Sequence, residues 1–324
     1  MLAKTFALGD DFPPVGYDAW RATVDADLKG APFEKKLIAH TYEGIDILPL
    51  YTADDPKHDP GMPGLTPFTR GAHPLGQASR GWDLRQEHAN PDLDVSNHAI
   101  LDDLARGVSS IQLRLDAAAR RGFDGDDPRA SELAAHDGVS AYTMSDLDRV
   151  LQGVMLEIAP IGLEAGAAFL PAAAQLAALW QERGVDPATA VGAFNADPLS
   201  ILARDGILPA SLQMMLSDAA RLAAWTHERY PQVMSIRVGT APYHHAGATS
   251  AQDLAFAMAT GVEYLRALQS AGLGIDDASR QMLFSFGVGT HFFLATAKLR
   301  AARTLWGRVI EASGGSPRGG AMRM

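Results

Sequence analysis

The 324-residue sequence contains no cysteine, which excludes a disulfide framework, a thiolate zinc site and a cysteine nucleophile. Cationic charge is also scarce: 28 Lys and Arg stand against 38 Asp and Glu, for a formal charge of −10. That balance excludes a general nucleic-acid binder, which needs a positive field to gain from counterion release, and it obliges any anionic ligand to find a local basic site. Long hydrophobic runs are missing too. The first twenty residues hold a single lysine and no apolar stretch of signal length, and apolar segments elsewhere are interrupted by Glu, Gln or Pro. No membrane partner is expected, and a cytoplasmic location fits.

The common nucleotide and hydrolase signatures are absent. There is no G-x-x-x-x-G-K-[ST] phosphate loop, and Gly287-Val288-Gly289 lacks the third glycine of a dinucleotide fingerprint. Neither H-E-x-x-H nor G-x-S-x-G occurs. His244 and His245 are adjacent, and neighbouring side chains diverge on most backbones, so no metal site is expected. What remains is an ordinary globular composition, 47% hydrophobic and 20% charged, in a chain long enough to bury a sizeable core and to form a single α/β barrel.

Periodicity supplies the elements. Trp20, Val24 and Leu28 recur on one helical stripe with Gly30 behind them, so residues 17–29 read as a helix. Glu43-Gly44 between two apolar stretches predicts a β-hairpin, and residues 52–82 are too rich in Pro and Gly for a regular element. From about residue 94, short apolar strands alternate with longer helices. Strands are predicted at SSIQLRLD, IGLEAG, AVGAF, VMSIRV (233–238) and QMLFSF (281–286), with a possible sixth at 319–324; helices are predicted over 143–156, 169–183, 211–229, 250–271 and 291–312. Alternation of this kind forces parallel strands joined by helical crossovers, and periodicity alone does not choose between a doubly wound sheet and a barrel.

Four segments carry a family likeness: EGIDILPLYT at 43–52, the stretch from Thr69-Arg70-Gly71 to Trp82-Asp83-Leu84-Arg85-Gln86, AGATSAQDLAFAMATGVEYLRAL at 246–268, and FSFGVGTHFFLATAKLRAARTLW at 284–306. In these residues, and in their order, the chain resembles the methylmalonyl-CoA mutase family, whose substrate-access segment runs from a TRG turn to a W-x-[IL]-R-Q motif. The resemblance implies a (β/α)8 TIM-type barrel that is incomplete at its C-terminal side. It also implies a division into an N-terminal helix-hairpin arm with access segment (1–92) and a barrel (93–324) that stops after about the sixth strand.

Carried over residue by residue, the resemblance implies substrate-binding roles for Thr69, Arg70, His73, Arg85, Gln86, Asn195 and Arg204. Physically, Arg70, Arg80 and Arg85 lie in a Gly/Pro-rich segment, where guanidinium groups either recognise phosphate and carboxylate or form surface ion pairs. The resemblance favours recognition. The catalytic positions depart from the family pattern. Glu87 stands where the family has a tyrosine that lies over the corrin. Pro242 aligns without a gap to the family's substrate-polarising histidine, and one short gap brings His244 there. Gln112-Leu113-Arg114-Leu115-Asp116 replaces an S-F-D-L run.

No D-x-H-x-x-G cobalt-ligating motif is present. The resemblance therefore implies adenosylcobalamin in the holoenzyme, not bound by a domain of this chain, and points to the small, non-catalytic subunit, in shortened form, paired with a catalytic large subunit. An acyl-CoA ester is the implied small-molecule ligand. An independent acyl-CoA mutase, or an acyl-CoA-binding assembly module, remains open at this stage.

Overall fold

The computed structural model describes residues 15–55, 59–75 and 81–324. They divide into two compact units between Asp59 and Pro60. In the first, α1 (Tyr17–Asp27) forms where the Trp20, Val24, Leu28 stripe was expected and ends as Lys29 and Gly30 turn left-handed (φ +51° and +89°). α2 (Phe33–Leu37) brings Phe33 edge-on to Trp20, 6.2 Å between ring centroids, with the Arg21 guanidinium 3.6 Å over the Phe33 ring. β1 (Ala39–His40) and β2 (Asp46–Ile47) then pair antiparallel around a turn in which Gly44 adopts φ +76°. This is the hairpin predicted at Glu43-Gly44.

The second unit alternates strand and helix: β3 (Arg85–His88), α3 (Leu93–Ala105), β4 (Ser110–Arg114), α4 (Ala117–Arg120), α5 (Met144–Val150), β5 (Ile161–Glu164), α6 (Phe169–Glu182), β6 (Gly192–Ala196), α7 (Pro198–Asp205), α8 (Leu212–Arg229), β7 (Val233–Gly239), α9 (Ala241–His245), α10 (Ser250–Ser270), α11 (Ile275–Arg280), β8 (Met282–Ser285) and α12 (Phe292–Ala312). The sheet is six-stranded and parallel, in the order β3-β4-β5-β6-β7-β8. Each strand lies beside its predecessor. All connections therefore step the same way, and right-handed crossovers place every helix on one face. A doubly wound sheet reverses direction at a switch point; this one does not, so the fold is part of a TIM-type barrel.

The sixth strand is not the one predicted. Residues 319–324 form no strand, although Phe284 donates a backbone hydrogen bond to the Arg323 carbonyl at 2.9 Å. The additional strand is β3, from the Arg-Gln-Glu-His run that read as part of the access segment. Arg85–His88 thus belong to the sheet, in the unit that begins at Pro60. The helix expected over 143–156 is confined to α5, since Gly153 takes φ +80° just beyond it.

Alternation along the strands separates two chemistries. Register aligns Ile111 with Ile161 and Leu113 with Leu163, all fully buried under the helices. The opposite, concave face carries Glu87, Gln112 and Gly162 in one row and Arg114 and Glu164 in the next. Outside the sheet, α10 packs on α12 at Gly261, where an added Cβ would stand 2.8 Å from the Trp306 ring. The same two helices share a buried ion pair, Lys298 Nζ to Asp253 Oδ2 at 2.7 Å. Among the described residues no helix is long and apolar enough to cross a membrane.

Candidate functional site

Barrel chemistry gathers at the C-terminal ends of the strands, where loops project side chains over the concave face. Two ion networks occupy that position. At the ends of β5, β6 and β7, the Arg237 guanidinium forks onto Glu164, with Nη2 to Oε1 at 3.2 Å and a closer Nη1–Oε2 contact, while its Nε reaches Asp197 Oδ2 at 3.3 Å. Asp197 is the N-cap of α7; it accepts from the Tyr264 hydroxyl at 2.6 Å and from the Gly239 and Ser200 amides at 3.0 and 3.2 Å. Burial alone would raise the Glu164 carboxyl, but Arg237, with Arg204 and Arg120 beyond it, holds it below its ordinary value. Burial acts against the Arg237 cation as well, and Glu164 and Asp197 outweigh it. For Asp197 burial prevails and its carboxyl is raised.

The second network lies at the ends of β3 and β4. Arg114 bonds Asp137 at 2.5 Å and stands 3.6 Å from Glu87, and Arg120 joins Asp137 at 2.7 Å. Asp116, fully buried, accepts from Ser140 Oγ at 3.0 Å, from the Ala119 and Ala135 amides at 2.9 Å each, and from the Tyr142 hydroxyl. Arg114 Nε and His88 Nε2 are buried there without a hydrogen-bond partner among the described residues.

A different environment occupies the N-terminal ends of β7 and β8. A cavity of about 1180 Å³ opens there, walled by Met234, Leu283 and the 64–74 segment, and among the described residues it is lined by Arg70, Arg280, Arg303, Arg318, Arg323 and His73 with no Asp or Glu. Among the described residues Arg303 donates to the backbone carbonyls of Thr69 and Leu299, and Arg323 to that of Arg280. Burial, then a neighbouring arginine, Arg300 for one and Arg280 for the other, depresses both guanidinium pKa values. Arg280 is paired with Asp277 at 3.4 Å, whereas Arg70, Arg303, Arg318 and Arg323 have no carboxylate partner among the described residues, and guanidinium groups in that state suit an anion.

The residues expected to bind substrate are thus distributed between two ends of the barrel. Arg70 and His73 line the basic cavity, and Thr69 braces its wall through a 3.2 Å contact between its hydroxyl and that of Thr304. Arg80 lies outside the described residues. Arg85 points across the concave face, bonding Ser110 Oγ and Asp83 Oδ2 and approaching Gly162. Gln86 alternates to the opposite face and does not join it. Asn195 sits at the end of β6 with φ +53°, its Nδ2 bonded to the Leu163 carbonyl and its Oδ1 buried and unpartnered. Arg204 forks onto Asp205 at 2.8 and 2.9 Å and lies 3.7 Å from Glu164. His244 is half-buried in α9, its ring against Gly287.

Glu164, Asp197, Arg237 and Tyr264, and the arginines beyond residue 279, did not emerge from motifs. The available signal was a charge on an otherwise apolar short strand, as in IGLE and VMSIRV, which marks a polar inner face.

The segments that carry the family likeness agree with comparisons of known proteins. The family model described as methylmalonyl-CoA mutase matches residues 40–324. The chain belongs to the methylmalonyl-CoA mutase family. It is 38% identical to the methylmalonyl-CoA mutase small subunit of Streptomyces virginiae, over 98% of this chain and 48% of that protein. It is 33% identical to the methylmalonyl-CoA mutase of Rhizobium meliloti (90% and 41%) and 31% identical to the large subunit of Streptomyces virginiae (92% and 41%). The chain spans about half the length, or less, of the mutase-family relatives it matches.

Proposed function

We propose that this chain is a small-subunit-type mutase barrel that holds an acyl-CoA ester by its phosphates and performs no isomerisation alone. In this reading, a catalytic large subunit supplies the chemistry that interconverts methylmalonyl-CoA and succinyl-CoA. The basic cavity carries the proposal. Coenzyme A is polyanionic, and in a protein of charge −10 the cavity offers five arginines, of which only Arg280 is ion-paired among the described residues, to Asp277. Guanidinium forks suit phosphate oxygens, and their partial burial strengthens each contact.

The C-terminal ends of β3 and β4 do not fit adenosylcobalamin. Glu87, Arg114 and Asp137 present paired charges there, with no aromatic side chain at the Glu87 position. Seating a flat macrocycle against that pair would strip water from charges without returning a partner. The corrinoid is accordingly assigned to the large subunit. Mutase and large-subunit association with this chain rest on its likeness to both subunit types.

Calorimetric titration with CoA and turnover assays test the reading together. The chain alone binds CoA and gives no turnover with methylmalonyl-CoA and adenosylcobalamin; turnover accompanies a large subunit. Charge removal in the double variant Arg303→Ala/Arg323→Ala weakens CoA binding at least tenfold. Turnover by the chain alone would sink the non-catalytic assignment, and unchanged CoA affinity in the double variant would sink the cavity's role.

A further inference from the structure

We infer that a second, smaller pocket, between the Thr69-Arg70-Gly71 turn and α12, takes a phosphate dianion, either free orthophosphate or the 3′-phosphate of coenzyme A. The pocket holds about 240 Å³, room for a phosphate group with its waters, and among the described residues it is lined by Thr69, Arg70, Thr296, Leu299, Arg300 and Arg303, with no Asp or Glu. The four from α12 stand at i, i+3, i+4 and i+7, so one helix face turns its cations toward the turn. Arg70 reaches them from a fixed backbone. Phe68, buried, and Gly71 are both left-handed (φ +59° and +101°), the Gly71 amide donates to the Phe68 carbonyl at 2.8 Å, and the Gly64 amide closes the loop on the Gly71 carbonyl at 2.9 Å. Arg303 ties this loop to α12 through the Thr69 carbonyl at 3.4 Å.

These cations lack partners. Among the described residues Arg70 and Arg300 make no ion pair or side-chain hydrogen bond, and Arg303 engages Nη1 alone, with Nε and Nη2 left over. After burial, Arg300 is the cause that depresses the Arg303 guanidinium. Like charges three residues apart on a helix repel, so the arrangement costs stability unless an anion offsets it. The threonine hydroxyls are engaged elsewhere: Thr296 donates to the Phe292 carbonyl at 3.0 Å, and Thr69 shares a hydrogen with Thr304. The donors left to the pocket are therefore guanidinium N–H groups, which match phosphate oxygens in pairs. Positive charge from three side chains favours a dianion over a carboxylate, and a terminal phosphate near neutral pH carries about −1.5 to −2 with three acceptor oxygens. Arg70 and Arg303 also line the larger cavity, which makes the two spaces neighbours. The 3′-phosphate source rests on the acyl-CoA reading above; the orthophosphate source does not.

Calorimetric titration of the full chain at low ionic strength with orthophosphate, CoA and dephospho-CoA tests the assignment. Arg300 lines the smaller pocket and not the larger, so Arg300→Gln should weaken orthophosphate binding by roughly fivefold or more. Arg308→Gln, an exposed arginine of the same helix outside the pocket, should leave it unchanged. Both side chains are exposed, so the fold is retained, which circular dichroism checks. If the 3′-phosphate is the occupant, CoA binds tighter than dephospho-CoA, Arg300→Gln removes that difference, and CoA displaces orthophosphate. If free orthophosphate is the occupant, CoA and dephospho-CoA bind alike and orthophosphate still binds beside saturating CoA. Orthophosphate binding that depends on Arg300, with neither CoA form bound, supports the pocket and overturns the acyl-CoA reading. Orthophosphate affinity unmoved by Arg300→Gln, equal loss in the two variants, or no orthophosphate binding at all overturns this inference and leaves the acyl-CoA reading to its own test.

Discussion

Arg237 neutralises two carboxylates that water reaches poorly: Glu164 is 12% exposed and Asp197 fully buried. Replacing it with methionine keeps most of the side-chain volume but leaves those carboxylates facing each other. Removing one partner of a buried pair costs about 3 to 5 kcal/mol, because the remaining charge has neither water nor counter-ion. Arg237→Met should therefore lower the urea midpoint by an amount equivalent to about 3 kcal/mol, with little change in the slope of the transition. The exposed Arg149–Asp94 pair supplies the control, since solvent screens it and Arg149→Met should leave the midpoint where it was. In sequence, Arg237 reads as one charged residue in VMSIRV. Its partners lie 73 and 40 positions away, so only the register of β5, β6 and β7 brings them together.

At the scale of elements, the junction of α10 and α12 depends on a residue with no side chain. Gly261 lets Trp306, itself 1% exposed, come within 2.8 Å of where a Cβ would lie, and Phe284 stands 3.3 Å from the same point. Gly261→Val inserts three carbons into that contact. Overpacking of a close-packed core costs about 1 to 3 kcal/mol, and a lowered thermal midpoint with loss of the near-ultraviolet signal of Trp306 would register it. An unchanged melt would show that the helices move apart freely. These two helices were legible because each repeats an apolar stripe over 21 residues. β3 was not. It is an edge strand of four residues, Arg-Gln-Glu-His, with only His88 buried, so it carries no alternation of apolar and polar side chains. Its pairing with β4 comes from tertiary context: the Ser109 and Ser110 amides both donate to the Leu84 carbonyl, and Ser109 Oγ bonds the Leu84 amide. The apolar ending at 319–324 imitated a strand, but glycines at 319 and 320 and a single bond to β8 leave it irregular. The candidate site was legible to the same degree. Arg70 and His73 were found through a contiguous motif, whereas Arg303, Arg318 and Arg323 meet them only after α12 folds back.

The whole molecule integrates these charges into its pH response. His88 is 6% exposed, and burial depresses its imidazole below the ordinary value of 6.5 despite Asp103 at 3.6 Å. A histidine depressed in the fold is neutral there while the unfolded chain still binds a proton. Between its two pKa values the unfolded state therefore takes up more protons, and stability falls as pH falls below about 6.5. Glu164 acts in a separate window. Its carboxyl is held below 4.5 in the fold, so the stability it contributes is present above that value and is lost as pH falls through the lower, folded one. Urea midpoints measured from pH 8 to pH 3 should accordingly decline in two stages, one beginning near neutrality and one below about pH 4.5. His88→Leu removes the buried proton acceptor, and with it the first stage, while the second persists. Should the decline between pH 7 and pH 5.5 survive in that variant, the response belongs to other groups, and burial of His88 has no bearing on the acid limit of the fold.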